Sequence, residues 1–362
     1  MSKILFIYTK RKEYSAEYIR VKYFINALEE SSIIVLKHEV ETKGLHKYVN
    51  YLLSINLFYS RLLKLGEDVD LVITTVPPVL NAIIGYEIAV KQGKPLVIDI
   101  RDIWEEYVRA IRSFKLSRVL INRIIGKYYR ALKYASLLTV TTDQMLKYYR
   151  KKIDAREIYT IPNGVDTCVI KCSGFENKEY DLVYLADFSN PYHAIEVLVD
   201  AIKNTDFKLL VVGSGKYLDR MKKLIEKQSI RINIKYTGSI PYNELSKYLC
   251  RTRVGVSGRP FIDNPEYLYT IPVKIYEYLG AGLPVLAYGP PKSAVQEFIF
   301  KHKVGYYIDK QSSDVILNKV YELVSKHKEY FGKCTSTASR YDRRVIARDF
   351  AKLISKLLDK AN

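Results

Sequence analysis

Thr270-Ile-Pro-Val-Lys-Ile-Tyr-Glu-Tyr-Leu-Gly-Ala-Gly-Leu-Pro-Val-Leu-Ala-Tyr-Gly289 reads as a short helix, a glycine turn and a buried strand. Pro272 suits a first helical position, where a missing N–H is not needed. Gly280 and Gly282 mark the helix end, where a left-handed residue is often required. Leu283 to Ala287 is a short apolar run of the kind found in parallel sheets. Lys274 and Glu277 are three residues apart, so they share one face near the helix N-terminus. That end carries a partial positive charge and suits phosphate, and a carboxylate one turn deeper could accept two hydrogen bonds from a ribose diol. An ordinary surface Lys–Glu pair has the same spacing, and spacing alone leaves both readings open.

The order Pro-x-Lys-x-Tyr-Glu-Tyr-Leu-Gly-x-Gly-x-Pro-Val resembles the donor-site segment of GT-B glycosyltransferases, family 4 in particular. The resemblance implies that Glu277 holds the ribose of a nucleotide sugar and that Lys274 lies near the diphosphate. Tyr269 stands where that family often has a second Glu. The resemblance follows the chain in order over nearly its whole length, and this segment is its specific part.

The remaining composition sets bounds. At 362 residues the chain is long enough for two domains, each with its own core. A formal net charge of +19 calls for an anionic partner: nucleic acid, an anionic membrane or a phosphorylated substrate. The excess divides about evenly between the halves, so it does not choose among them. No signal-peptide apolar core with a cleavage site follows the opening Met-Ser-Lys, and no run of about 18 apolar residues is present, so a cytoplasmic protein is expected. Cys168 and Cys172 are four apart with no matching pair or histidine cluster nearby, so no zinc or other metal site is expected. Cys168, Cys172, Cys250 and Cys334 read as free thiols of a reducing compartment.

In the first half, apolar runs at Ile4–Tyr8, Ile33–Leu36, Leu71–Thr75, Leu96–Ile100 and Leu137–Thr141 alternate with helical stretches. That alternation predicts a parallel sheet covered by helices on both faces, with ligands beyond the carboxyl ends of its strands. The loop after the first run lacks glycine and offers Lys10, Arg11 and Lys12, either to phosphate or to solvent. Asp68-Val-Asp70 precedes a strand, the wrong edge for a site, and reads as a turn. Asp99-Ile-Arg-Asp-Ile-Trp-Glu-Glu106 begins at the correct edge and resembles a cleft-facing motif in a subgroup of the same family. Arg101 would pair with Asp99 or Asp102, and Asp102 could orient an acceptor hydroxyl or take its proton. From Tyr107 to Thr142 no acidic residue occurs, and Arg109, Arg112, Lys115, Arg118, Arg123, Lys127, Arg130 and Lys133 interleave with apolar residues. Such a stretch suits an anionic membrane surface, a solvated helix covering the sheet, or a nucleic-acid stripe. Leu45–Leu65 could add a second apolar face. No helix-turn-helix, zinc-finger or RNP pattern appears, so nucleic acid is set aside.

Ile158-Tyr-Thr-Ile-Pro-Asn-Gly-Val-Asp166 resembles the family's domain junction, and the polar stretch Lys171–Glu179 reads as the linker. Apolar runs resume at Leu182–Leu185, Leu209–Val212, Ile232–Tyr236, Val254–Ser257, Val285–Ala287 and Val304–Ile308. The family usually has Gly-Arg and then Lys-Gly after the first of these; here the positions read Ala186-Asp187 and His193-Ala194. Leaving-group charge then falls to Arg259 and Lys274, with His193 as a further candidate. Gly213-Ser-Gly215 opens a helix, and its backbone either approaches a base or phosphate or merely packs tightly. Tyr236-Thr-Gly-Ser-Ile-Pro-Tyr242 resembles the segment beside the nucleobase. Ser257–Glu266 has no regular period and reads as a lid loop.

The expected architecture is therefore α/β and GT-B, two Rossmann-like parallel-sheet domains facing a cleft. Residues 1–168 would bind the acceptor and 169–340 the nucleotide sugar, with a helix in 341–362 crossing back. The resemblance implies a retaining hexosyltransferase that works without a metal or cofactor, takes a UDP- or GDP-linked donor and serves a lipid-linked or envelope-glycan acceptor at the inner face of a membrane. A non-catalytic relative that binds glycan or membrane is the alternative.

Overall fold

The computed structural model describes residues 1–9, 16–40, 68–106, 118–154, 157–174, 177–189, 193–227 and 230–361. The loop cations Lys10, Arg11 and Lys12, the stretch Leu45–Leu65, and Arg109, Arg112 and Lys115 lie outside the described residues. The chain forms two compact units, Met1–Pro162 with Arg344–Asn362, and Asn163–Arg343.

The first unit runs β1 (Lys3–Tyr8), α1 (Ala16–Glu30), β2 (Ile34–Glu39), β3 (Leu71–Val76), α2 (Val79–Gln92), β4 (Leu96–Ile100), α3 (Arg118–Tyr134), β5 (Leu137–Val140), α4 (Asp143–Lys152) and β6 (Ile158–Thr160). Its sheet has the order β2-β1-β3-β4-β5-β6, parallel throughout. Every residue of β3 and β4 is buried, as expected of strands covered on both faces, while edge strand β2 is largely exposed. The short β6 has no clear apolar run and was legible only as a junction.

Asp99, at the end of β4, is fully buried and pairs with Arg20 of α1 rather than with Arg101. Arg20 Nε and Nη2 donate to its two carboxylate oxygens at 3.0 and 2.9 Å, and Thr139 Oγ1 donates at 2.7 Å. The remaining Arg20 donors reach the carbonyls of Pro162 and Ile161 at 2.7 and 2.8 Å. A buried charge persists only when it is paired and fully hydrogen-bonded, and this one is. Arg101 donates to Pro77 O at 2.8 Å. Asp70 accepts from Lys3 N at 2.9 Å, which fixes the turn before β3.

The second unit runs β7 (Tyr180–Leu185), α5 (Ile195–Ile202), β8 (Lys208–Val212), α6 (Lys216–Lys227), β9 (Asn233–Gly238), α7 (Leu245–Leu249), β10 (Thr252–Gly258), α8 (Pro265–Tyr269), α9 (Val273–Gly280), β11 (Val285–Tyr288), α10 (Ala294–His302), β12 (Gly305–Ile308) and α11 (Ser313–Arg340). Its sheet has the order β12-β11-β10-β7-β8-β9, again parallel. The last helix, α12 (Arg343–Ala361), joins the first unit from Arg344 on, where Phe350 stacks on Phe24 at 4.0 Å and Lys360 pairs with Glu157 at 3.0 Å.

Two readings of the sequence need correction. Cys172 and Cys250 form a disulfide, with Cα atoms 5.4 Å apart, so the free thiols are Cys168 and Cys334. The pairing joins cysteines 78 residues apart, which spacing arguments about neighbouring cysteines do not reach. The expected loop Ser257–Glu266 also holds the start of α8: Asn264 Oδ1 caps it by accepting from Glu266 N at 2.9 Å, with Pro265 in its first turn. The Asn-Pro-Glu signature was present but too short to show a period.

Candidate functional site

In the second sheet, β8 and β9 follow β7 to one side, while β10, β11 and β12 extend to the other. The order reverses between β7 and β10, and at such a switch point the loops diverge and leave a crevice beyond the carboxyl ends of the strands. Buried tyrosines satisfy the backbone groups around that point. Tyr278 Oη, from α9, accepts from Leu185 N and donates to Val256 O, both at 2.9 Å, so one phenol spans β7 and β10. Gly255 lies under the same ring, and a Cβ there would overlap it. Tyr184 Oη accepts from Gly258 N at 2.9 Å and donates to His193 O, while Tyr288 Oη donates to Ala194 O at 2.8 Å. These bonds fix the loop that carries His193. Within the stretch Thr270–Gly289, Tyr278 and Tyr288 thus each bury a large ring and close backbone hydrogen bonds.

Helix α9 starts at Val273 with Pro272 as its N-cap, one position after the expected start. Lys274, in its first turn, is only 8% exposed. Its Nζ lies 4.6 Å from the centre of the Tyr184 ring and 3.5 Å from His193 Nδ1. His193 Nε2 is 3.1 Å from Asp187 O. Nε2 therefore carries the hydrogen, as the carbonyl can only accept, and Nδ1 receives a hydrogen from Lys274. Burial first, then Arg259, holds the Lys274 amine well below its usual range, with Glu277 pulling the other way. Burial, then Lys274 and Arg259, likewise holds His193 well below the ordinary imidazole value. Three groups able to carry positive charge thus crowd together, a repulsion that an anion would relieve.

Arg259 follows β10. Its Nη2 is 3.4 Å from Thr270 Oγ1, its guanidinium lies 5.4 Å from the Tyr267 ring centre, and its buried Nε has no partner. Glu277, one turn along α9 from Lys274, is 12% exposed and pairs with Arg343 at 3.7 Å. Burial raises the Glu277 carboxyl, and Arg343 and then Lys274 oppose that rise. Arg343 donates its backbone N–H to Val165 O at 2.9 Å and lays its guanidinium 4.9 Å from the Tyr242 ring centre.

Of the residues singled out from sequence, Lys274, His193, Arg259 and Glu277 come from separate loops and one helix into a single neighbourhood of the second unit. Gly213 and Gly215 lie at the ends of β8 and the start of α6 with φ of 130° and 142°, and a Cβ on either would run into the backbone of Ala186 or of Phe188. Their glycine is thus accounted for by close packing against the segment after β7. Gly213 N donates to Gly238 O at 2.8 Å, and Gly238 has φ 72° with open space where a Cβ would stand. The Tyr236 side chain turns to α6, where Lys222 Nζ lies 4.4 Å from its ring centre. Asp102 is half-buried just after β4 in the first unit. Sequence reasoning missed Arg343 and Tyr184, which nothing local marks, and reached Tyr242 only as the end of the segment beginning at Tyr236. Among the described residues, no group of three or more His, Cys, Asp or Glu side chains gathers as metal ligands would, and no helix is long and apolar enough to cross a membrane.

Residues 170–336 match the family model of glycosyl transferases group 1. The alpha-monoglucosyldiacylglycerol synthase of Streptococcus pneumoniae is 22% identical over 64% of this chain and 55% of its own length, so the chain spans about half of that curated relative. Among solved structures, sucrose-phosphate synthase from Thermosynechococcus elongatus matches with a TM-score of 0.80 at 16% identity, covering 99% of this chain and all of the other (100%). HepE from Anabaena, solved in complex with UDP, matches with a TM-score of 0.72 at 15% identity, covering 98% of this chain and 100% of its own. At these identities the structural matches establish the fold, which is GT-B.

Proposed function

We propose that this chain, which has the GT-B fold, moves a hexose-type sugar from a UDP- or GDP-linked donor to a lipid-linked or envelope-glycan acceptor, with retention of configuration and without a metal. The second unit binds the donor and the first unit the acceptor. The observation that carries this reading is the convergence of Lys274, Arg259 and His193 beside the β7–β10 switch point, one helical turn from Glu277. Breaking a glycosidic bond to a diphosphate leaves negative charge on the departing phosphate oxygens while positive charge builds at the anomeric carbon. Fixed cations in a water-poor site stabilise that charge more than water does. Lys274 and Arg259 meet the diphosphate, and His193 shares a hydrogen with Lys274 and takes up a proton as the anion arrives. Glu277 accepts from the ribose hydroxyls. Asp102, at the carboxyl edge of the first sheet, orients the acceptor hydroxyl. The main chain of Gly213, Gly215, Tyr236 and Gly238 lines the nucleoside end.

The names of similar proteins support the substrate classes: one is titled a synthase of a glucosylated diacylglycerol and another was solved with UDP. Contact with an anionic membrane surface belongs to the same proposal, at the cytoplasmic face. On α3, Arg123, Lys127, Arg130 and Lys133 are exposed, whereas Ile125, Tyr128, Ala131 and Leu132 are buried in the unit. Charge on this helix would contribute about 1 kcal/mol for each basic group near an anionic leaflet.

Calorimetric titration with UDP and GDP, repeated on Glu277→Ala, tests the donor assignment. Binding of one diphosphate to the wild type and its loss in the variant is expected. No binding of either, or binding that Glu277→Ala leaves unchanged, removes the assignment. Tight binding with no transfer across a panel of glycolipid acceptors would instead favour the non-catalytic alternative, which the Asp187 and Tyr269 substitutions make the relevant rival.

A further inference from the structure

Two buried arginines in this chain are built differently. Arg20 spends its guanidinium donors on Asp99, Pro162 O and Ile161 O, and its pair is complete without any ligand. Arg343 is as deeply buried, 7% exposed, yet its nearest acid is Glu277 at 3.7 Å, beyond hydrogen-bond reach, and its Nη1 has no partner. A guanidinium presents five N–H donors in a fixed plane, and burying one without an acceptor is unfavourable. Buried polar groups are otherwise almost always satisfied; Arg343 Nη1 is one of a few described atoms that are not, and it sits on a guanidinium beside the buried Glu277 carboxylate.

Arg343 is held for such a role. Its backbone N–H is bound to Val165 O, the neighbouring Asp342 accepts from Thr167 N at 3.2 Å, and Tyr242 supports the flat face of the guanidinium. The other cation beside Glu277, Lys274, is engaged with Tyr184 and His193. Arg343 is thus the residue free to set where the Glu277 carboxylate points. We infer that Arg343 is a second ribose residue: it positions Glu277 to accept from the two hydroxyls of a nucleotide's cis-diol, and its free Nη1 donates to an oxygen of the same diol. A diol both donates and accepts, so a carboxylate beside a guanidinium satisfies both capacities, and the ligand in turn supplies the acceptor that Nη1 lacks. The inference rests on the donor-site reading given above.

The test compares ribose with its dideoxy form. Calorimetry would measure wild type, Arg343→Met and Arg343→Lys with whichever of UDP or GDP the wild type binds, and with the matching 2′,3′-dideoxynucleoside diphosphate. Arg343→Met is expected to weaken the ribonucleotide by about 10- to 100-fold, the usual effect of losing hydrogen bonds to a charged group. The dideoxy ligand, already weaker on the wild type, should change by less than about threefold, because it has no diol to lose. Arg343→Lys keeps the charge but not the planar fork and should fall between. Should Arg343→Met fail to fold, Arg343→Lys alone carries the comparison, with a loss seen for ribose and not for the dideoxy form. Equal losses for both ligands would overturn the inference, since packing alone would then explain them. If Glu277→Ala abolishes binding while both Arg343 variants bind as the wild type, this inference fails and the donor site stands. No binding to the wild type removes both.

Discussion

Lys274→Met separates a binding role from a structural one because the two predict opposite signs. Lys274 is nearly fully buried, lies 3.5 Å from His193 Nδ1 and shares its surroundings with Arg259. Methionine has a similar length and volume and carries no charge. Replacing a buried charge by an apolar residue of like volume is often neutral or stabilising by about 1–4 kcal/mol, and here the amine is held well below its normal range, so the unliganded variant should melt at the wild-type temperature or higher. Nucleoside diphosphate affinity should fall about 10- to 150-fold, corresponding to about 1.5–3 kcal/mol for a hydrogen bond to a charged group. The pH dependence adds a check. Below about 10.5, the ordinary lysine value, the unfolded chain binds a proton that native Lys274 resists. Wild-type stability therefore rises with pH from the lowered native value up to about 10.5, and the gap between variant and wild type should narrow over that window. Thermal melts between pH 7 and 10, with titration calorimetry at pH 7.5, provide both readouts. A variant that melts several degrees lower yet binds nucleotide as the wild type would refute the reasoning, because Lys274 would then be a packing residue.

His193→Asn should flatten the acid side of the stability profile. Native His193 resists the proton that the unfolded chain accepts below about 6.5, so wild-type stability falls as pH drops, and removing this group should reduce the slope by up to about 1.4 kcal/mol per pH unit in urea melts between pH 5 and 6.5. His302 and His327 are lowered in the same direction and should keep part of the slope. Gly213→Ala forces a Cβ into the Ala186 carbonyl at φ 130° and should cost more than about 3 kcal/mol, whereas Gly238→Ala, at φ 72° in open space, should cost about 1–2 kcal/mol; denaturant melts of the two variants side by side test the difference. Cys250→Ser removes a cross-link between residues 78 apart and should cost up to about 4.5 kcal/mol by loop entropy, with thiol titration of the denatured, unreduced wild type finding only Cys168 and Cys334 reactive.

What the sequence determined by itself was whatever is written in short-range pattern. The runs Leu71–Thr75 and Leu96–Ile100 announce parallel strands because both their faces are buried, and the structure has β3 and β4 there. Pro272, Lys274, Glu277 and the two glycines set a short helix whose acid and amine share a face, since a helical turn fixes that from spacing alone. What only the tertiary structure decided are the pairings across long separations. Arg20 reaches Asp99, Arg343 reaches Glu277, His193 reaches Lys274 and Cys172 reaches Cys250 because strand order brings distant loops to one edge of a sheet. Those partners have no shared periodicity to reveal them. Short-range reading offered Arg101 to Asp99 or Asp102, whereas Asp99 takes Arg20, and it named no arginine for Glu277. Charge and type are local properties of a residue, whereas the identity of its neighbour follows from how the chain reverses between β7 and β10 and returns at Arg343.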